Sequence, residues 1–248
     1  MSSNGWPAGV GRIALGRVES TMAEAAARAG DLAAPTWIMA AEQVAARGRR
    51  GRAWATPPGN FAATFVMRPE GGPAEAALRS FVAALALHDA LVALTGRPEM
   101  FALKWPNDVL LNGGKLAGIL LESVGHGALL VGVGVNLIEA PAAEDLEPGA
   151  LRPVALAAET GVHVAQADFL DHLAVAFAHW EGQMACYGFA PIRTAWLARA
   201  ARLGEEITAR TGVEEVTGRF EDVDPGGHLV LASAGGRRII AAAEIFFP

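Results

Sequence analysis

The chain reads as an α+β protein, a mixed β-sheet packed with helices and followed by a small all-β unit at its C-terminal end. Three observations predict this. Between residues 20 and 201, short apolar runs bounded by turn residues alternate with segments of helical periodicity. From Glu205 onward the helical pattern stops, and short strands separated by Asp224-Pro-Gly-Gly227 and Gly235-Gly236 take over. With 248 residues, 52% hydrophobic and 19% charged, the chain can fill a sizeable core and lacks the composition of a disordered one. The expected division is a large unit over 1–200 and a small β unit over 201–248.

The elements follow in order. Thr21-Met-Ala-Glu24 reads as a capping box opening a helix that Gly30 closes. Residues 36–44 and 60–68 read as strands, the second carrying Phe61, Thr64, Phe65, Val66 and Met67. Leu78, Phe81, Val82, Leu85 and Val92 recur at helical spacing, which predicts one long helix over 74–95. Glu75, Arg79, His88 and Asp89 interrupt its apolar run, so a globular helix is expected there and not a membrane span. Phe101–Trp105 reads as a strand that Pro106 ends. Val109–Leu111 and Leu116–Leu121 flank Asn112-Gly113-Gly114, the residues of a tight hairpin turn. Residues 128–138 form another apolar strand. Helical patterns fill 151–201, with Gly161 as a C-cap and Phe169, Leu173, Phe177 and Trp180 on a core-facing stripe. Ile207–Arg210, Val216–Phe220, Leu229–Leu231 and Arg238–Phe247 make up a small β-barrel or meander.

Charge and composition exclude several classes. A net charge of −6 and a pI near 5.5 argue against nucleic-acid or anionic-membrane binding by the surface as a whole. One cysteine, Cys186, excludes an intrachain disulfide and a cysteine-rich zinc site, and it fits a reducing compartment. The first 19 residues hold Pro7 and several glycines without a long apolar run, so no secretory signal is expected and a cytoplasmic location is. The six histidines form no constellation, and His-x-Glu and Cys-x-x-Cys spacings are absent, so no metal site is predicted. There is no Gly-x-x-x-x-Gly-Lys-Ser/Thr loop, so a nucleotide would have to bind by other means.

Residues 42–54, Glu-Gln-Val-Ala-Ala-Arg-Gly-Arg-Arg-Gly-Arg-Ala-Trp, stand out against this acidic background. Arg47, Arg49, Arg50 and Arg52 fall within six residues, where like charges repel. Gly48 and Gly51 let backbone N–H groups approach a ligand, and guanidinium forks bind carboxylate or phosphate at two points. A loop that receives an anion explains the cluster. A solvated basic loop or a nucleic-acid patch explains it as well.

A second segment, Lys104-Trp-Pro-Asn-Asp108-Val-Leu-Leu-Asn-Gly-Gly-Lys115-Leu-Ala-Gly-Ile-Leu-Leu-Glu122, narrows the choice. Together with the arginine loop, Glu19-Ser20-Thr21 upstream and Gly132-Val-Gly-Val-Asn136 downstream, it resembles the biotin protein ligases. The similarity runs from about Ser20 to Asn136 and continues weakly to the C-terminus. The resemblance implies a biotin/lipoate ligase-like catalytic domain and an SH3-like C-terminal domain. It implies ATP with Mg2+ and biotin as substrates, with no tightly bound cofactor. It implies biotinyl-5′-AMP as intermediate and a biotin carboxyl carrier domain, such as that of acetyl-CoA carboxylase, as protein partner. A homodimer is compatible with it, and a membrane partner is not expected. Some members carry a DNA-binding repressor domain before the catalytic part. The 19 residues before Ser20 are too few for one, so no DNA partner is expected. The nearest rival is a lipoate or octanoate ligase or transferase of the same fold. A rival of another class is a noncatalytic biotin- or nucleic-acid-binding protein.

The resemblance also implies roles. Ser20, Thr21 and Met22 line the ureido end of biotin and Gln43 faces the ureido group, although Ser20 and Thr21 also read as helix caps and Gln43 as an ordinary surface residue. Arg47, Gly48 and Arg49 belong to a ligand-covering loop, with Arg49 orienting the biotin carboxylate and the adenylate phosphate. Arg50 and Arg52 are read as solvated or as contributing to long-range attraction. Trp54 either covers adenine or packs under the loop. Lys115 sits where the biotin acid and the α-phosphate, both anionic, must meet. Asn107 and Asp108 fall in the nucleotide region, with Asp108 placed to accept a proton from the acceptor lysine. Gly118 lets backbone approach ligand, and Asn136 ends a strand near the nucleotide. Ala46 departs from the family pattern, which has glycine there.

Overall fold

The computed structural model describes residues 5–54, 56–141 and 151–247, with the backbone alone at Arg49. A seven-stranded sheet is built from β1 (Gly11–Val18), β2 (Thr36–Gln43), β3 (Phe61–Met67), β4 (Phe101–Lys104), β5 (Asp108–Leu111), β6 (Gly114–Val124) and β7 (Ala128–Val135). Its order is β1-β2-β3-β7-β6-β5-β4. Only β1 and β2 run parallel, which makes the sheet mixed as expected. The strand β1 was not foreseen.

Strand alternation assigns the two faces. Trp37, Phe61, Phe65, Val131, Val133 and Val135 point to one side, toward α3 (Arg79–Thr95) and α5 (Gln166–Tyr187). Trp37 stacks on Phe65 at 4.8 Å between centroids, and Phe177 of α5 meets both edge-on. Ile38, Val66 and Leu130 point to the other side and pack on Ala25 of α1 (Thr21–Arg28) and on Ala29, its C-cap. α1 covers only part of that face. The remainder, over Thr64, Gly118, Gly132 and Gly134, is the floor beside which the functional site is built.

Three details differ from expectation. Ser20, not Thr21, caps α1: its hydroxyl accepts from Ala23 N at 3.0 Å. Glu24 therefore completes no capping box and instead pairs with Arg28. The helix ends at Ala29 in right-handed geometry, so Gly30 is not its cap. The helix expected over 74–95 is two, α2 (Pro73–Ala77) and α3. At the break, Leu78 N–H turns back to Glu75 O (3.2 Å), and Arg79 Nη1 reaches the same oxygen (3.0 Å). Pro73–Thr95 is long and apolar enough to cross a membrane, yet 72% of its most apolar window is buried inside the protein.

The hairpin is as read: Asn112 (φ 50°) and Gly113 (φ 77°) form its left-handed turn. After α4 (Leu156–Thr160) and α5 comes α6 (Phe189–Leu197). A separate antiparallel sheet follows, made of β8 (Glu206–Arg210), β9 (Glu215–Val223), β10 (Leu229–Ser233), β11 (Gly236–Ile240) and β12 (Glu244–Phe246). Its order is β11-β10-β9-β8-β12. The run expected as one strand over Arg238–Phe247 is divided between β11 and β12, which lie on opposite edges. The β9–β10 turn anchors this sheet. Gly227 (φ 82°) presses against Leu78 and Phe81, and its carbonyl accepts the Trp105 indole N–H at 3.0 Å. At the far edge of this sheet, Glu244 of β12 meets Arg50 and Arg52 of the loop after β2.

Candidate active site

A cavity of about 1000 Å³ opens where the N-terminus of α1, the arginine loop after β2, the glycine-lined part of β6 and β7, and β12 converge. Ser20, Thr21, Met22, Gln43, Arg47, Gly48, Trp54, Asn107, Asp108, Lys115, Gly118 and Asn136 all line it. The side chain of Arg49 lies outside the described residues, so its expected role falls there too. Its backbone enters a tight turn, Arg49–Gly51.

A break in alternation aims Lys115. Ile119 and Ala117 face the helical core, and strict alternation would send Lys115 there as well. The β5–β6 pairing instead slips between Val109 and Leu110, skipping Leu116. That bulge keeps Leu116 in the core and turns Lys115 into the cavity beside Gly118. Lys115 Nζ then lies 2.8 Å from Asp108 Oδ1, with Lys104 Nζ 4.0 Å from Asp108 Oδ2. Asp108 Oδ1 is buried and meets no aligned hydrogen-bond donor, so the Lys115 ammonium is an ionic neighbour and not a directed bond. Residues 152–154 brace the start of β6, through Lys115 N to Arg152 O (2.8 Å) and Val154 N to Lys115 O (3.0 Å).

The glycines of β6 and β7 are notches. Gly118 and Gly134 sit opposite each other in register, and the Trp54 indole lies against both. A methyl group at Gly134 would come 2.6 Å from Trp54 Nε1. Lys115 Nζ stands 5.7 Å from the Trp54 ring centre, a cation–π distance. Trp54 thus packs on the strand face at Gly118 and Gly134, next to Lys115. Gly132 opens a similar notch for Met22.

The arginine loop is zipped along its base. Gly48 N bonds to Arg52 O (2.7 Å) and Trp54 N to Ala46 O (2.9 Å). Left-handed backbone falls at Arg50 (φ 57°) and Gly51 (φ 74°), not at Ala46. Arg50 and Arg52 are not simply solvated: both reach Glu244 of β12, Arg52 at 2.6 Å and Arg50 at 3.6 Å. The hydrogen bond from Arg52 holds the Glu244 carboxyl below its ordinary range.

At the other end, Thr21 N and Thr21 Oγ1 both donate to Gln43 Oε1 (2.7 and 3.0 Å), and Gln43 Nε2 donates to Thr56 Oγ1 (3.3 Å). Asn107 is laced to β6, its Nδ2 donating to Ile119 O at 2.6 Å. Asn136 is buried and holds the 154–156 segment, donating to Val154 O and accepting from Leu156 N. Sequence reasoning did not assign Lys104, Thr56, Thr64 or Glu244. Lys104 opens the motif that flagged its neighbours and was legible. Glu244 lies 192 positions from Arg52, and no local pattern marks it. Among the described residues no group of three His, Cys, Asp or Glu side chains could hold a metal ion.

This arrangement offers cations and backbone for anions at one end, an amide and hydroxyls for a neutral polar ring at the other, and apolar walls between. Comparison with known proteins gives two family matches. Residues 14–137 match the biotin/lipoate A/B protein ligase family and residues 203–247 the biotin protein ligase C-terminal domain. A biotin–[acetyl-CoA-carboxylase] ligase of Paracoccus denitrificans is 58% identical over 237 residues, 94% of this chain and 99% of that one. The protein of that name from Mycobacterium tuberculosis is 33% identical over 83% of this chain and 76% of its own. Among solved structures, a biotin protein ligase from Aquifex aeolicus in complex with biotin and ATP superposes with a TM-score of 0.82. It covers 95% of this chain and 97% of its own, and at 24% identity the likeness is one of fold.

Proposed function

The chain belongs to the biotin/lipoate A/B protein ligase family, and we propose that it activates biotin as biotinyl-5′-AMP and transfers it to a lysine of a biotin carboxyl carrier domain. The observation that carries this reading is the meeting of the arginine loop, Lys115 and Asp108 in one cavity, although they come from distant parts of the chain. The name of the Paracoccus relative supports acetyl-CoA carboxylase as the source of that acceptor.

In the first step a carboxylate oxygen of biotin attacks the α-phosphorus of ATP. The bond from that phosphorus to the bridging oxygen breaks, and pyrophosphate leaves. Two anions must approach, and their charge concentrates between them. Lys115 Nζ supplies fixed positive charge there at little reorganisation cost, and the loop arginines add theirs once they turn from Glu244 to the substrate. Asp108 holds the ammonium in place. The divalent ion enters with the nucleotide as part of the substrate. Arg49 is assigned by the family resemblance to the carboxylate and phosphate end.

In the second step the uncharged amine of the acceptor lysine attacks the carbonyl carbon of the mixed anhydride, and AMP departs with the electron pair. The amine must shed a proton, and we assign its acceptance to Asp108, a carboxylate lining the cavity. Thr21 and Gln43 engage the ureido group, Met22 and the glycine floor the ring, and Trp54, Asn107 and Asn136 frame the nucleotide side. We assign residues 1–200 to this catalytic unit and 201–248 to the C-terminal unit, a division supported by the change from α6 to β8. The engagement of Arg50 and Arg52 by Glu244 at the cavity supports a small-molecule site over an open nucleic-acid face. The free thiol Cys186 fits a reducing cytoplasm.

The test is incubation with biotin and α-labelled ATP, followed by isolation of the mixed anhydride and transfer to a carrier domain. Biotin-dependent pyrophosphate exchange is expected. Exchange that responds to lipoate or octanoate and not to biotin would overturn the reading.

A further inference from the structure

Thr64 lies on β3 with no exposed surface and does not line the cavity. Its hydroxyl donates to Thr21 Oγ1 at 2.9 Å, its one side-chain hydrogen bond among the described residues. A hydroxyl sealed from water must place its proton on a partner, and Thr21 is the partner supplied. That donation occupies a lone pair of Thr21 Oγ1 and leaves Thr21 to spend its own proton outward. It goes to Gln43 Oε1, 3.0 Å away.

The far end of the chain has a fixed sense as well. A backbone N–H can only donate, and Thr21 N stands 2.7 Å from Gln43 Oε1, so the atom there is the amide oxygen. The amide nitrogen is thereby turned to Thr56 Oγ1. Donation thus runs in one direction, from Thr64 through Thr21 to Gln43, and its origin is the buried residue.

We infer that Thr64 is a positioning residue for recognition of the substrate's cyclic urea, fixing the Thr21 hydroxyl as a donor toward the cavity. The inference rests on the proposed biotin activation and deepens it. A cyclic urea carries a carbonyl oxygen beside an N–H. That edge fits between the Thr21 hydroxyl and Gln43 Oε1: the carbonyl accepts the Thr21 proton, and the N–H donates to Gln43 Oε1. One internal hydrogen bond is exchanged for two to the ligand. The same polarity disfavours a ligand that presents N–H in place of the carbonyl, since two donors would then face each other.

The experiment compares Thr64→Val, which keeps the shape and removes the proton, with Thr64→Ser, which keeps the proton. Steady-state pyrophosphate exchange is measured with biotin, with ATP, and with 2-iminobiotin, the cyclic guanidine analogue. In Thr64→Val the Thr21 hydroxyl is free to accept as well as donate. The KM for biotin rises about three- to tenfold, the range expected for one hydrogen bond. The KM for ATP and kcat stay near wild type. The preference in kcat/KM for biotin over 2-iminobiotin falls by a similar factor, which loosened packing alone would not cause. Thr64→Ser restores both quantities. An unchanged biotin KM with unchanged preference in Thr64→Val, or an equal defect in Thr64→Ser, overturns the inference while biotin activation stands. Absence of biotin-dependent exchange in the wild type overturns the underlying reading instead. Should Thr64→Val fail to fold, Thr64→Cys, a weak donor of similar size, takes its place against Thr64→Ser.

Discussion

Arg52 of the arginine loop and Glu244 of β12 face each other fork to fork, Nη1 to Oε1 at 2.6 Å and Nη2 to Oε2 at 2.8 Å. The C-terminal sheet thereby supplies an internal anion to a loop built to receive external ones. Arg50 shares the same carboxylate at 3.6 Å. The repulsion that crowding the arginines entails is relieved before substrate arrives, so the loop is latched in its ligand-free form.

This latch has a definite pH dependence. The hydrogen bond from Arg52 comes first among the causes that hold Glu244 below its ordinary value of 4.5. A depressed folded-state pKa means the latch contributes fully above that ordinary value and is lost as pH falls through the lowered one. Hydrogen exchange of amides 47–53 in the ligand-free protein, corrected for intrinsic chemistry, should therefore stay flat from about pH 8 to about pH 5. Glu244→Gln should raise it about two- to fivefold at pH 7, a modest factor because Arg52 is nearly half exposed. Equal protection in the variant would show that the loop is held by its own backbone zipper.

Lys115 carries the proposed chemistry, and Lys115→Ala should lower biotin-dependent pyrophosphate exchange about 10²- to 10³-fold. The substitution also leaves Asp108 Oδ1 buried without its nearest cation, so some loss of melting temperature is expected. Adding Asp108→Asn should recover that thermal loss without recovering exchange. Recovery of activity in the double variant would reduce Lys115 to a structural counter-ion.

The physical reasons for what could be read from sequence are local. Asn112-Gly113 needed left-handed backbone, and Leu78, Phe81, Val82 and Leu85 needed burial on a helix, so hairpin and core helix were both legible. The strand β1 was not, because Gly11, Arg12, Gly16 and Arg17 dilute its apolar pattern and, among the described residues, it pairs with the parallel β2 alone. Lys115 was chosen from its motif, but the bulge at Leu116 that turns it inward arises from pairing and leaves no sequence trace. The Thr64–Thr21–Gln43 chain and the Glu244 latch depend on which distant residues meet, which one-dimensional patterns do not encode.

Ala46 departs from the glycine of the family pattern, yet its backbone is not left-handed and its carbonyl is engaged by Trp54 N. Glycine is therefore not needed there for conformation. Ala46→Gly should leave the biotin KM unchanged or lower it. It should also destabilise the fold by about 0.4–1 kcal/mol through the entropy of the unfolded chain. Biotin titration and thermal melting check the two halves, and a marked rise in KM would contradict this view of the loop base.

The two β7 notches allow a sharper comparison. A methyl group at Gly134 would meet the Trp54 indole at 2.6 Å (Nε1) and 2.7 Å (Cε2), a rigid bicycle pinned between strand and loop. A methyl at Gly132 would meet Met22 Sδ at 2.7 Å, the end of a flexible side chain that can rotate away. Gly134→Ala should therefore displace the indole from beneath Lys115 and slow adenylate formation about ten- to a hundredfold, as misplacement by an ångström does. Gly132→Ala should cost about threefold or less, confined to the KM for biotin, because Met22 yields. Trp54→Phe in the Gly134→Ala background offers a smaller ring to the same notch and should regain part of the lost rate. Equal effects from the two glycine substitutions would mean that crowding of the strand backbone, and not the position of Trp54, limits the reaction.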